Sequence, residues 1–308
     1  MKRLALLVSV LTLLSFAIVA KLSPGSWKWA AKAEAGEGDS YVYLPQLVGN
    51  PFLNIPVELI TIPAGEFQMG CDFQVDECLG GEELPLHTVF LDEYAIYKYE
   101  VTNAQYAAFM NAGPGNNCGE HDCLDVESEG AHIRLQNQMY VVDPGYENHP
   151  IVGVSWYGAH AYCSQNEQRL PTEAEWEKAA RGDNDTRRYP WGNSDADCTK
   201  TNMRRDDLTT FCVGETMPVG SYPTGVSPYG VMDMAGNAHE WVNDWYSGSY
   251  YNESPYANPQ GPEGGLYKIA KGGSWWFHSP YVRIPSRYEL PAGATHYDRG
   301  FRCVADVD

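Results

Sequence analysis

The sequence predicts an α+β domain with little regular secondary structure, and three observations carry that expectation. Helix signals are few and short, strand-like pieces are short and scattered, and the loops between them are dense in Gly, Pro, Trp and Tyr. Of 308 residues, 21 are Tyr and 9 are Trp. Aromatic packing and cross-links must therefore hold what backbone ladders do not.

The helices are placed by their caps. Thr102 with Gln105 three residues later forms a capping box that predicts a helix to about Ala112. Ser155 opens a second helix, to about Asn166, and Thr172 with Glu175 opens a third that Gly182 stops after Arg181. Strand-like pieces are VELITIPAG (57–65), HTVFLDEYAIYKYEV (87–101), KIAKGG (268–273) and GFRCVAD (300–306).

The first twenty residues, MKRLALLVSVLTLLSFAIVA, set Lys2 and Arg3 before an apolar run from Leu4 to Ala20, the pattern of an export leader. Cleavage would follow Ala20 or fall at Ala31-Lys32-Ala33; the alternative is an uncleaved N-terminal anchor. The chain divides into a leader (1–33), a polar linker (34–56) and one domain (57–308), with no repeat or low-complexity tract. A formal charge of −19 argues against nucleic acid and anionic membrane surfaces as partners, apart from that possible anchor. Eight cysteines in an exported chain imply four disulfides. Cys71 with Cys78, Cys198 with Cys212 and Cys118 with Cys123 are close enough in sequence to close short loops.

Nine segments occur in an order that chance does not produce. They are IPAGEFQMG (62–70), LPLHTVFLDEYAIYKYEVTNAQYAAF (84–109), HPIVGVSWYGAHAYC (149–163), RLPTEAEWEKAARG (169–182), YPWGN (189–193), PVGSYP (218–223), YGVMDMAGNAHEW (229–241), KGGSW (271–275) and GFRCV (300–304). In these the chain resembles the formylglycine-generating enzyme (sulfatase-modifying factor) family, over about residues 57 to 307. The resemblance implies the family's C-type-lectin-like fold and a disulfide between Cys163 and Cys303. Closing so long a loop is worth about 4–5 kcal/mol in the chain-entropy picture.

Enzymes of this family oxidise a cysteine of a client sulfatase, using copper(I) held by two cysteines spaced C-x4-C just after the GGS motif. Thiolates suit that ion because both are soft. Counting from Ser274 places Phe277 and Val282 where the cysteines belong, and neither can bind copper. Cys118 and Cys123 share the spacing, with His121 between them, but lie far from GGS in sequence. The sequence therefore points to a non-catalytic domain for which copper is not expected. The competing reading is the oxidase itself.

The resemblance also implies structural calcium, a hard ion that takes roughly six to eight oxygens. Its ligands map to the side chains of Asp233 and Glu240 and the carbonyls of Gly236 and Ala238. A second site would use Asn202, the Met203 carbonyl and an acid that does not stand out; Asp206 and Asp207 come early. His239 occupies a position that is often Trp in the family, where it packs at the rim or contacts ligand. His87 and His149 fall in framework motifs.

Without the copper pair, GGSWWFHSPYVRIPSR (272–287) still has the composition of a recognition surface. Trp276, Phe277, His278 and Tyr281, with Tyr288 and Tyr297, offer rigid area at low entropic cost. His296 and Asp298 are available to the same face, and Arg283 and Arg287 read as ion-pair formers. The expected partner is a protein, peptide or small-molecule ligand. A further reading follows from family members whose variable residues, between GGSW-like and GFR-like motifs, are diversified by retroelements.

Overall fold

The computed structural model describes residues 57–307 apart from 129 and 184, so the expected leader and linker lie outside the described residues. The strand-like pieces become β1 (Leu59–Ile62), β2 (Gly65–Met69), β3 (His87–Leu91) and β4 (Tyr94–Tyr97). Helix α1 (Asn103–Ala112) follows, then two hairpins, β5 (Asn117–Cys118) with β6 (His121–Asp122) and β7 (Ile133–Gln136) with β8 (Met139–Val142). After α2 (Trp156–Gln165) and α3 (Glu173–Arg181) the chain runs irregularly to β9 (His239–Trp245). It closes with β10 (Lys268–Lys271), β11 (Tyr288–Leu290), β12 (Arg299–Phe301) and β13 (Val304–Asp306).

Each helix starts where its cap predicts. The Thr102 hydroxyl accepts from the Gln105 amide and the Gln105 side chain accepts from the Thr102 amide; Thr172 and Glu175 repeat the reciprocal pair. All of α3 is buried, charged residues included, so those charges need partners inside the protein.

Two sheets organise the core. One has the order β1-β4-β13, antiparallel; the other has the order β11-β10-β9-β12, with β12 parallel to β9. Because side chains alternate along a strand, β9 and β10 serve two apolar clusters. Trp241 and Ala270 face the cluster formed with α1 and α2, while Val242 and Ile269 face the one containing Trp176 of α3. The hairpins β5–β6 and β7–β8 and the strands β9 and β11 lie outside the strand-like pieces expected from the sequence.

The structure pairs Cys163 of α2 with Cys303, between β12 and β13, at a Cα separation of 5.7 Å. It also pairs Cys71 with Cys78, Cys118 with Cys123, and Cys198 with Cys212. Four disulfides fit an extracytoplasmic setting, and among the described residues no helix is long and apolar enough to cross a membrane.

Candidate functional site

The segment after β10 turns back on itself through Gly272 (φ +85°) and Gly273 (φ +67°). A side chain on Gly273 would meet the Tyr281 carbonyl at 2.6 Å, so only glycine lets residues 281–282 close against this turn. Ser274 is buried beneath it; its hydroxyl donates to Asp298 Oδ2 at 2.8 Å and accepts from the Trp276 amide at 3.2 Å. Phe277 and Val282, the residues counted three and eight places after Ser274, join a small apolar cluster with Tyr189, Met203 and Ala235. All eight cysteines are in disulfides. Cys118 and Cys123 are among them, so the second C-x4-C pair offers no thiolate.

A second wall comes from residues 203–213, a tight loop tied at its base by Cys198–Cys212 and by pairing of Arg204 with Phe211. The two walls are stitched together: the Arg204 amide donates to the Phe277 carbonyl, and the amide and hydroxyl of Ser279 donate to Asp206 at 3.0 and 2.9 Å. The Phe211 ring lies 5.7 Å from Trp275 and 5.5 Å from Trp276, and Tyr297 sits 5.7 Å from Trp276. The Arg204 guanidinium covers Trp276 at 5.7 Å. His278 stacks on Tyr281 at 5.0 Å. Trp276 and Tyr281 each keep 40% of their surface in solvent.

Sequence reasoning missed Arg204 and Phe211, and weighed Asp206 only as a metal ligand. The Cys198–Cys212 bracket was the available signal that the loop between them is shaped rather than loose.

The floor is polar. His239 opens β9 with 3% of its surface exposed, between the rings of Phe277 at 5.0 Å and Tyr288 at 5.2 Å. Burial pushes its imidazole down to about 4, so it is neutral at physiological pH. Beside it Asp298 accepts from Ser274 and meets His296 Nδ1 at 2.6 Å. Burial raises the Asp298 carboxyl, but the His296 bond, the neighbouring imidazole of His239 and Ser274 outweigh it and hold the group below its ordinary value. The expected recognition residues thus fall in two sets of contacting rings, Trp276 with Tyr297, and Phe277 with His278, Tyr281, His239 and Tyr288.

The expected calcium ligands fall behind this floor, around a fully buried arginine. Arg302 donates through Nε and Nη2 to Glu240 at 2.6 Å each, and through its other bonds to the carbonyls of Tyr97, Lys98 and Met232. Trp176 Nε1 adds a bond to Glu240 at 2.8 Å. Glu240 could serve a metal only by sharing oxygens with Arg302. Asp233 accepts from the Gly220 amide at 2.6 Å, and Glu100 accepts from the Asn237 side chain and the Ala238 amide.

Three buried carboxyls thus face one guanidinium. Burial, backed by repulsion from Glu240, pushes Asp233 up to about 6; burial and the charges of Asp233 and Glu240 push Glu100 well above its ordinary value. Gly236 leaves a cradle that a side chain would fill, 2.2 Å from the Thr201 hydroxyl and 2.3 Å from the Asn202 carbonyl. Nearby, Asn202 Oδ1 is buried without a hydrogen-bond partner, while the Met203 carbonyl accepts from the Cys212 amide. Excess buried negative charge and an orphaned oxygen fit a hard cation.

The Arg283 and Arg287 guanidiniums are ion-paired. Arg283 binds Asp76 and Glu83, and Arg287 binds Glu173 at 2.8 and 2.9 Å.

Residues 50–307 match the Sulfatase-modifying factor enzyme 1-like domain. The formylglycine-generating enzyme of Streptomyces coelicolor is 36% identical over 284 residues, covering 81% of this chain and 89% of that enzyme. The serine/threonine-protein kinase Pkn1 of Chlamydia trachomatis is 38% identical over 254 residues, covering 81% of this chain and 38% of the kinase. The chain thus spans less than half the length of that kinase. Among solved structures, PvdO from Pseudomonas aeruginosa superposes with a TM-score of 0.63 at 22% identity, covering 88% of this chain and 100% of PvdO. Treponema denticola variable protein 1 superposes with a TM-score of 0.58 at 21% identity, covering 82% and 96%. These two share the fold, and the sequence match decides the family: the chain belongs to the sulfatase-modifying factor, or formylglycine-generating enzyme, family.

Proposed function

We propose that this is an exported, calcium-stabilised domain whose cleft binds a protein, peptide or small-molecule ligand and does not carry out the family's oxidation. One observation carries the reading: Phe277 and Val282 pack as apolar neighbours at the copper-cysteine positions while every cysteine is already in a disulfide. Copper(I) chemistry needs soft, deprotonated sulfur, and none is offered there. The exposed Trp276 and Tyr281 support the second half, since rigid aromatics cost little entropy on binding. Calcium would be held by oxygens around Asp233 and Asn202, where it would offset the excess of buried carboxylates.

The oxidase reading has its own support in the identity to the Streptomyces coelicolor enzyme over most of that enzyme's length. The shared fold with Treponema denticola variable protein 1 is compatible with a diversified binding surface, which a near-copy of the gene's 3′ end beside a reverse transcriptase would establish.

The deciding experiment is anaerobic copper(I) titration of the protein, followed by incubation with a Cys-x-Pro-x-Arg peptide. No stoichiometric copper and no aldehyde are expected. Tight copper binding with aldehyde formation would overturn the reading. In parallel, glycan and peptide arrays probed with the wild-type protein and Trp276→Ala locate the ligand, and binding by the wild type that Trp276→Ala abolishes is the expected result.

A further inference from the structure

The polar atoms of the cleft floor are left wanting in one chemical sense. Among the described residues, Arg204 Nε, His239 Nδ1, His278 Nδ1 and Arg299 Nε are all buried nitrogens without a hydrogen-bond partner. They belong to one connected patch. Arg204 lies over Trp276 and its amide bonds the Phe277 carbonyl, His239 touches Phe277, Phe277 touches Tyr281, Tyr281 stacks on His278, and Arg299 on β12 pairs in register with His239 on β9. Two of the four are guanidinium Nε–H groups, which only donate. A buried donor without an acceptor is costly, so this patch calls for oxygen acceptors.

The acids within the patch are already committed. Asp206 is taken by Ser279, and Asp298 by Ser274 and His296. Arg299 Nε stands 4.0 Å from Asp298 Oδ1, beyond hydrogen-bond reach. His296 is the group best able to meet a ligand: Asp298 fixes its Nδ1, and 37% of the side chain remains exposed beside Tyr297, whose ring is 4.0 Å away. A buried carboxylate bonded to Nδ1 orients the imidazole and leaves Nε2 as the nitrogen able to meet a ligand. In a chain of charge −19, this patch gathers arginine and histidine with no uncommitted carboxylate among the contacts described.

The geometry points to a carboxylate-bearing ligand with a planar apolar body, its anion held by His296 and Arg299 and its body against Trp276 and Tyr281. This deepens the ligand-binding reading above and rests on it.

The test uses phenylacetate and its neutral counterpart phenylacetamide, each titrated against the protein while tryptophan fluorescence is followed, with wild type, His296→Gln and Trp276→Ala. Saturable phenylacetate binding is expected, about tenfold tighter than phenylacetamide, which corresponds to roughly 1.4 kcal/mol. His296→Gln should erase that preference and Trp276→Ala should weaken both probes together. Nuclear magnetic resonance of the wild-type imidazoles gives an independent readout: the His296 signals should move with phenylacetate and stay put with phenylacetamide. Should His296→Gln fail to fold, by thermal melting, the imidazole shifts decide. Equal binding of the two probes, or an unchanged preference in His296→Gln, would overturn the anion inference and leave the aromatic face standing. No binding of either probe would overturn both.

Discussion

The buried ionic framework and the aromatic cleft are built from similar residue types and treat them in opposite ways. In the framework, Arg302, Arg287 and Arg283 are matched by Glu240, Glu173 and Glu83, each pair with two or more short bonds. In the cleft, Arg204 and Arg299 keep unpaired Nε atoms, and the tryptophan beside them stands half in solvent. A protein satisfies buried donors where it needs rigidity. Arg181 of α3 also keeps nitrogens without a hydrogen bond, but beside Glu177 at 3.1 Å, whereas Arg204 lies over the exposed Trp276.

The largest effect should come from severing the framework's long-range tie. Cys163→Ala with Cys303→Ala removes the bridge across 140 residues and should cost about 4–5 kcal/mol in denaturant unfolding. A loss indistinguishable from that of removing Cys118–Cys123, which spans 5 residues, would show that loop closure is not what this bridge supplies.

Next is Arg302→Met, which fills the same space but leaves Glu240, Glu100 and Asp233 buried together without a cation. It should destabilise by about 3–5 kcal/mol, and a neutral outcome at pH 7 would mean the carboxyls are compensated by other means.

The third prediction concerns pH and calcium. Burial holds the Asp233 carboxyl at about 6, above its unfolded value. Its contribution to stability is therefore present below about pH 4 and lost as pH rises through about 6, on the order of 3 kcal/mol. In chelator the melting temperature should fall over that window, calcium should restore it at pH 7, and Asp233→Asn should flatten both responses. Calcium that leaves the pH 7 melting curve unmoved would remove the metal from this account.

The smallest effect sharpens the contrast most. Trp276→Ala, half in solvent, should change stability by less than about 1 kcal/mol. Trp176→Ala, buried in α3 against Glu240, should cost about 3–5 kcal/mol. Similar losses for both would make the exposed wall part of the core.

Much of the fold was legible because its signals are local. Thr102, Ser155 and Thr172 place helix starts through bonds that span three residues, and β3, β4 and β10 carry their strand character in their own composition. The small hairpins β5–β6 and β7–β8 were not legible. Each strand pairs with its immediate neighbour over only two to four residues, too short for a period of two to stand out. The candidate site was half legible: residues 274–288 stood out by aromatic content, whereas Arg204, Asp206 and Phe211 look like ordinary loop until the chain folds back on them.

The sequence by itself determined the family, the helix caps and the presence of Phe277 and Val282 after the GGS motif. Each of these is written in residue identity and short spacing. Only the tertiary structure decided that Glu240 is shared with Arg302 and Trp176, and that Arg204 and Phe211 close against the aromatic wall. Those are outcomes of competition among distant partners for the same buried atoms. Such competition is settled by geometry and desolvation, which no stretch of sequence contains alone.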